Sequence, residues 1–132
     1  SMPILMNDND IHSSEKIAIL CKIRDIQRSV ILFEQQFEKQ FGISLNEGMV
    51  LCSLTKAKQL TSGELGEKLG LTPSNMSKVI ASVERKGFVE RSLGQEDKRQ
   101  MYFTLTDQGR QRIASIGCCK LAWPEILRPL LE

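Results

Sequence analysis

The sequence predicts a mainly α-helical α+β fold, in which two short helices joined by a tight turn are followed by a β-hairpin with a charged tip. Apolar residues recur at intervals of three and four along most of the chain, which is typical of helices that cover a core. Gly70 ends one helix and Pro73 starts the next, so the turn between them is short. Two runs of strand composition, 88–92 and 100–105, enclose a polar loop that contains Gly94.

A long helix is predicted over 13–41, after a flexible start over 1–12. It carries a stripe of aliphatic and aromatic side chains and contains neither glycine nor proline. Gly42 is a natural helix end. Ser44 and Glu47 then have the spacing of a capping box, in which each side chain bonds the backbone of the other residue. A loop is expected over 55–59. The residues expected to face inwards from this second helix are Met49, Val50 and Leu54.

The helix-turn-helix is predicted to begin at Thr61, which has capping-box spacing with Glu64. Thr72 caps its second helix, which runs to about Lys86. Pro73 occupies the first position of that helix, where the missing N–H costs nothing. The residues expected to face inwards are Leu65, Leu69, Met76, Val79, Ile80 and Val83, with Leu71 buried in the turn.

The start of this second helix favours a contact with DNA. Short hydroxyl and amide side chains and one lysine can approach base edges in the major groove, and they both donate and accept hydrogen bonds. No acidic residue occurs between Leu71 and Val83, so nothing there would repel a phosphate. Taken alone, the same residues would also suit a solvated helix start. The candidate DNA-binding residues are Thr72, Ser74, Asn75, Ser77 and Lys78, and the later residues expected to face outwards are Ala81, Ser82 and Arg85.

The hairpin tip is the second candidate contact. Arg91, Lys98 and Arg99 could lie beside a phosphate or enter a narrow minor groove. A carboxylate near DNA is unfavourable, so Asp97 is expected to pair with a nearby arginine and fix the loop. The alternative is a solvated turn whose charges have no specific role.

Two further helices are predicted after the hairpin. One begins at Thr106 and Asp107 and has Ile113 and Ile116 on its apolar face, and a short final helix begins or kinks at Pro124. Together with the first helix they carry more apolar surface than one small core can cover, which favours a homodimer over packing of the two ends within one chain. The residues expected at the dimer interface are Ile17, Leu20, Trp123, Ile126, Leu127, Leu130 and Leu131.

Composition argues against other classes of protein. The net charge of +2 points to no particular partner, and no apolar stretch is long enough to span a membrane. No export signal is recognised, which favours the cytoplasm. The cysteines, at 21, 52, 118 and 119, lack Cys-x-x-Cys spacing, and His12 is the only histidine. Reduced thiols packed as small hydrophobic groups are therefore expected, with no metal and no cofactor. No set of residues suggests an enzyme.

Five motifs in this order resemble the MarR family of winged-helix transcription regulators. Each motif alone is weakly diagnostic, but their combined order and spacing over about 44–112 are highly specific. The motifs are Leu-Thr-Ser-Gly-Glu-Leu at 60–65, Thr-Pro-Ser-Asn-Met-Ser-Lys-Val-Ile at 72–80, Lys-Gly-Phe-Val-Glu-Arg at 86–91, Asp-Lys-Arg at 97–99 and Leu-Thr-Asp-Gln-Gly at 105–109.

The resemblance implies a single domain over 13–132, with a winged helix-turn-helix DNA-binding lobe over 44–105 and dimerisation helices over 13–41 and 107–132. It implies a homodimer that binds a pseudo-palindromic operator as a repressor and is released by a small lipophilic or phenolic ligand. Little sequence follows Leu131 by comparison with the family, so a shortened final helix is expected. By resemblance, Ser74, Asn75, Ser77 and Lys78 face the major groove, Arg99 reaches the minor groove and Asp97 braces the wing.

Two alternatives remain open at this point. The protein could be a thiol-based redox regulator that acts through Cys21, which has Lys22 beside it and Arg24 one turn away. It could also be a winged helix used only for protein contacts, which would predict an apolar rather than a polar start to the recognition helix.

Overall fold

A computed structural model describes residues 12–117, 124, 125 and 128. Two compact units are present: the first, up to Gln36, holds most of α1, and the second begins at Phe37. The described elements are α1 (Ser13–Phe41), α2 (Leu45–Lys56), β1 (Leu60–Thr61), α3 (Ser62–Leu69), α4 (Pro73–Arg85), β2 (Val89–Leu93), β3 (Met101–Leu105) and α5 (Asp107–Gly117).

The first helix, α1, has the bounds that its apolar stripe predicted. Gly42 follows it with a φ of +71°, a conformation that glycine adopts without the strain a side chain would bring. Phe33 and Phe37 are buried, but Ile17, Leu20 and several other apolar side chains of α1 are exposed. Cys21 is also exposed, so the prediction that it packs as a small hydrophobic group is wrong for the isolated chain.

The second helix begins with the predicted capping box. The Ser44 hydroxyl accepts from the N–H of Glu47, and the Glu47 carboxylate accepts from the N–H of Ser44. Val50 and Leu54 are buried as expected, but Met49 is exposed. The helix also continues through Lys56 rather than ending before residue 55, because nothing in 55–56 interrupts its hydrogen bonding.

The turn between α3 and α4 follows the prediction closely. Gly70 has a φ of +69° and ends α3, while the Thr72 side chain caps α4 by accepting from the N–H of Asn75. Pro73 is the first residue of α4. Leu65, Met76, Ile80 and Val83 are buried as predicted, whereas Leu69, Leu71 and Val79 are only half-buried.

The sheet has three antiparallel strands in the order β1-β3-β2. Within the hairpin, Val89 pairs with Leu105 and Leu93 with Met101, so both strands lie within one residue of their predicted bounds. The prediction of a two-stranded wing missed β1, whose two residues pair with Phe103 and Tyr102. Two residues are too few to show an alternating pattern.

Helix α5 packs closely on the start of the hairpin. The Thr106 hydroxyl accepts from the N–H of Gly109 and donates to the carbonyl of Gly87. Ile116 is buried and Ile113 is half-buried. The predictions for Trp123, Ile126, Leu127, Leu130 and Leu131, and those for Cys118 and Cys119, lie outside the described residues.

Candidate nucleic-acid interface

The start of α4 presents a polar surface to solvent. The five candidate residues on it are all exposed: Thr72, Ser74, Asn75, Ser77 and Lys78. The first turn of the helix contains no acidic residue. The Thr72 hydroxyl uses a lone pair for the cap, at 3.2 Å from the N–H of Asn75, so its own proton remains available for donation. This combination of donors, acceptors and a cation can contact base edges and phosphates.

The later part of α4 turns partly inwards. Met76, Ile80 and Val83 fix the helix in the core. The prediction that Ser82 faces outwards is wrong, because its hydroxyl donates to the Glu47 carboxylate at 2.7 Å. Ala81 is half-buried, and Arg85 is exposed as predicted.

Glu47 accepts hydrogen bonds from three residues. Besides Ser44 and Ser82, Lys86 donates from its Nζ to both carboxylate oxygens, at 2.8 and 2.9 Å. Burial raises the pKa of Glu47, but the hydrogen bonds from Lys86, Ser44 and Ser82 outweigh burial and hold the pKa below its usual range. The carboxylate is therefore charged and fully hydrogen-bonded. Sequence reasoning recognised Glu47 only as a capping residue.

The tip of the wing is organised by Asp97. Its Oδ1 accepts from the backbone N–H and from Nε of Arg99, at 3.0 and 3.1 Å. These hydrogen bonds lower the pKa of Asp97. The Arg99 side chain is still 91% exposed, and Lys98 beside it is also exposed. The loop therefore presents two cations to solvent while a carboxylate holds one of them in place.

Arg91 lies at the base of the wing and is held by α4. Its guanidinium makes two hydrogen bonds to the Glu84 carboxylate and lies 5.5 Å from the centre of the Phe103 ring. The bonds to Arg91 lower the pKa of Glu84, and the pKa of Arg91 is raised in turn. Arg91 thus joins the wing to the recognition helix. Glu84 was not identified from the sequence, because no local pattern marks its partner.

Arg112 of α5 is a cation whose role was not predicted from the sequence. Its guanidinium donates to the carbonyl of Phe41, at 2.8 Å, and lies 5.0 Å from the centre of the Phe88 ring. It therefore ties the end of α1 to the start of the hairpin.

An apolar pocket of about 250 Å³ lies beside α2, away from the polar start of α4. Phe37 lines it from the end of α1 and Ile113 and Ile116 from α5, while Cys52 and Lys56 contribute from α2. Cys52 is a half-buried free thiol. Across the described part of the chain there is no group of residues that could hold a metal ion, and no described helix is long and apolar enough to cross a membrane.

Comparison with known proteins finds a family model that matches the middle of the chain. Residues 43–101, which contain the helix-turn-helix and most of the wing, match the model of the MarR family. Over these residues the chain is similar to the MarR family. Its members are transcription regulators rather than enzymes. This confirms both the resemblance drawn from the sequence motifs and the winged-helix fold.

The relatives share this part of the chain at moderate identity. The uncharacterised HTH-type transcriptional regulator YdgJ of Bacillus subtilis is 30% identical over 102 residues, which cover 77% of this chain and 60% of YdgJ. PapX of Escherichia coli is 30% identical over 76 residues, which cover 56% of this chain and 46% of PapX. The chain thus spans 60% or less of the length of these two curated relatives.

Solved structures share the fold. The transcriptional regulator BldR from Sulfolobus solfataricus superposes with a TM-score of 0.70 at 24% identity, covering 96% of this chain and 83% of BldR. The MarR family transcription regulator SP03579 also gives a TM-score of 0.70, at 21% identity, covering 80% of this chain and 70% of SP03579.

Proposed function

We propose that this chain is a MarR-family transcription regulator that binds double-stranded DNA in a sequence-specific way, as a homodimer on a pseudo-palindromic operator. The observation that carries the proposal is the exposed, acid-free start of α4, which presents Ser74, Asn75, Ser77 and Lys78. A winged helix used only for protein contacts would be expected to present an apolar surface there. The names of the relatives, as transcriptional regulators, support the same function.

The proposed docking places the start of α4 in the major groove. With 13 residues, α4 is about 20 Å long, so its first turns can enter the groove while its end stays in the protein core. Arg99, braced by Asp97, would then reach the minor groove or its phosphates, with Lys98 beside it. Thr72 can donate to a phosphate, and Arg91 would set the angle of the wing through Glu84.

Apolar side chains around α1 support the homodimer. Ile31 and Leu32 are exposed, although the next residue, Phe33, is buried. Successive helical residues are about 100° apart, so these side chains lie on different sides of α1. A helix that is apolar on several sides needs more than one partner surface. The exposed large apolar residues of α1 are Ile17, Ile19, Leu20, Ile23, Ile26, Ile31 and Leu32.

Repression and ligand release complete the proposal. A dimer that occupies an operator blocks access to the promoter, and a ligand that favours another arrangement of the protein would release it. The pocket beside α2 is apolar enough for a small lipophilic or phenolic molecule, and Lys56 on its lining could pair with an anionic group.

The test is a fluorescence titration with duplexes selected from genomic DNA, at two salt concentrations. Affinity should fall steeply as salt rises, because phosphate contacts release counterions. Lys78→Ala should change which base is preferred, at a cost of about 1–3 kcal/mol, whereas Arg99→Ala should weaken binding to most sequences alike. Lys39→Ala, which removes the same charge outside α4 and the wing, is the control. Unchanged binding by both Lys78→Ala and Arg99→Ala would refute the assigned contacts.

A further inference from the structure

Two glutamates in this chain occupy equivalent capping positions but have different surroundings. Glu47 in α2 and Glu64 in α3 are each the third residue of a helix, and each accepts a hydrogen bond from the N–H of its capping residue. Glu64 is exposed, and within the described residues it makes no bond to α4. Glu47 is 4% exposed and is the only buried charged residue in the part of the chain that the structure describes. Capping alone therefore does not account for the burial of Glu47.

The additional bonds of Glu47 all lead to one end of α4. Ser82 is in the last turn of α4, and Lys86 is its C-terminal cap. Ser82 donates to Oε2 of Glu47 at 2.7 Å, and Lys86 donates to Oε1 at 2.8 Å. Lys86 also approaches the carbonyl of Gly42 at 3.4 Å. The carboxylate thus joins the beginning of α2 to the end of the helix whose other end carries the proposed base contacts.

Apolar packing and hydrogen bonds constrain the pose of α4 in different ways. The buried Met76, Ile80 and Val83 hold the helix against the core, but hydrophobic burial is not directional. Hydrogen bonds to a buried carboxylate are directional and short, so they fix both the rotation of the helix and its position along its axis. A tilt of only about 5° over the roughly 20 Å of α4 would move its start by about 1.7 Å. Binding sites need their groups within about 0.5 Å of the productive geometry.

We propose that Glu47 is a positioning residue for DNA recognition, which sets the pose of α4 through Ser82 and Lys86. This inference rests on the proposed function, because it assigns Glu47 a role in the discrimination between DNA sequences. In the proposed complex with DNA, Glu47 contacts no base. It acts through the helix, so its loss should affect discrimination between duplexes more than the general attraction to phosphates.

The test compares matched substitutions. Glu47→Gln keeps an oxygen that can complete the capping box but removes the charge that pairs with Lys86. Glu64→Gln makes the same chemical change in the other capping box. Ser82→Ala removes one bond to Glu47 without any change of charge, and alanine favours the helix, so this variant should fold even if Glu47→Gln does not. Ser115→Ala is its control, since among the described residues the Ser115 hydroxyl bonds only the carbonyl of Arg112 in its own helix.

The readout is the ratio of dissociation constants for a preferred duplex and a scrambled duplex, together with the salt dependence and the melting temperature. The ratio should fall about tenfold in Glu47→Gln and several-fold in Ser82→Ala, with an unchanged salt slope, while both controls keep the ratio of the parent. A change in melting temperature alone would indicate a purely structural role and overturn the inference.

Different results would contradict the positioning role of Glu47 and the proposed DNA binding. If the parent distinguishes the duplexes and both Glu47→Gln and Ser82→Ala do so equally well, the positioning role is wrong and the proposed function stands. If the parent binds no duplex in low salt, the proposed function is wrong, and the positioning role falls with it.

Discussion

Several side chains of this protein are held by hydrogen bonds to residues that are distant in the sequence. Glu47 and Ser82 are 35 residues apart in the sequence, and Glu47 and Lys86 are 39 residues apart. The capping role of Glu47 could be predicted because Ser44 is only three residues away. Its bonds to α4 could not, because no local pattern encodes them. The same holds for Arg112 and its bond to the Phe41 carbonyl, across 71 residues.

The lowered pKa of Glu47 predicts a pH-dependent contribution to stability. Because its pKa in the folded state lies below the usual value of 4.5, the unfolded chain binds a proton first as the pH falls. The contribution is thus complete above about pH 5 and is lost as the pH falls through the folded pKa.

Glu47→Gln should therefore lower the free energy of unfolding by about 1–3 kcal/mol at pH 7. Thermal melts followed by circular dichroism at pH 7, 5 and 4 should show the difference in melting temperature between parent and variant shrinking at the lowest pH. A difference that is constant with pH would show that Glu47 is not stabilised as a carboxylate.

Secondary-structure elements were predictable where their ends carry local signals. The bounds of α1, the capping boxes of α2 and α3 and the start of α4 all depend on residues within one turn of each other. β1 was missed because its pairing with β3 depends on contacts across some 40 residues. The role of Gly109 could not be predicted from the sequence either, because a glycine near the start of a helix ordinarily only weakens that helix. In the structure Gly109 allows α5 to approach the hairpin, because an added Cβ would clash with the carbonyl oxygen of Phe88.

Two glycine substitutions test this close approach. Gly109→Ala should reduce the free energy of unfolding by about 1–3 kcal/mol, because the backbone of Phe88 must move to make room. Gly63→Ala is the matched control, since the nearest atom to its added Cβ is the Thr61 hydroxyl oxygen at 3.9 Å. It should leave stability unchanged or raise it by up to about 1 kcal/mol through helix propensity. Urea denaturation compares the two variants, and equal effects would contradict the proposed contact.

Apolar surface on α1 is the main feature at the scale of the whole molecule. The sequence predicted from its apolar content that the chain needs a partner, and the exposure of Ile17 and Leu20 agrees with that argument. The partner itself cannot be derived from one chain, because the residues expected to complete the interface, such as Trp123, lie outside the described part. The homodimer therefore stays a prediction.

Leu20→Glu tests the homodimer. Burying one leucine contributes about 1.5–3 kcal/mol, and a symmetric interface contains two copies, so the dissociation constant of the dimer should rise by about 100-fold or more. Ser14→Glu adds the same charge to the first turn of α1 and should have little effect. Analytical ultracentrifugation measures the change, and DNA affinity should fall for a full operator but not for a half-site. A parent that sediments as a monomer at every concentration would refute the dimer.

The position of β2 at the outer edge of the sheet has a further consequence. A strand at an edge exposes unpaired backbone groups that can recruit a strand from another molecule and so seed aggregation. Here that strand carries the exposed Glu90 and Arg91, and charged side chains on an edge oppose such growth. We therefore expect the arginine that joins the wing to α4 also to oppose edge-to-edge association of the protein at high concentration.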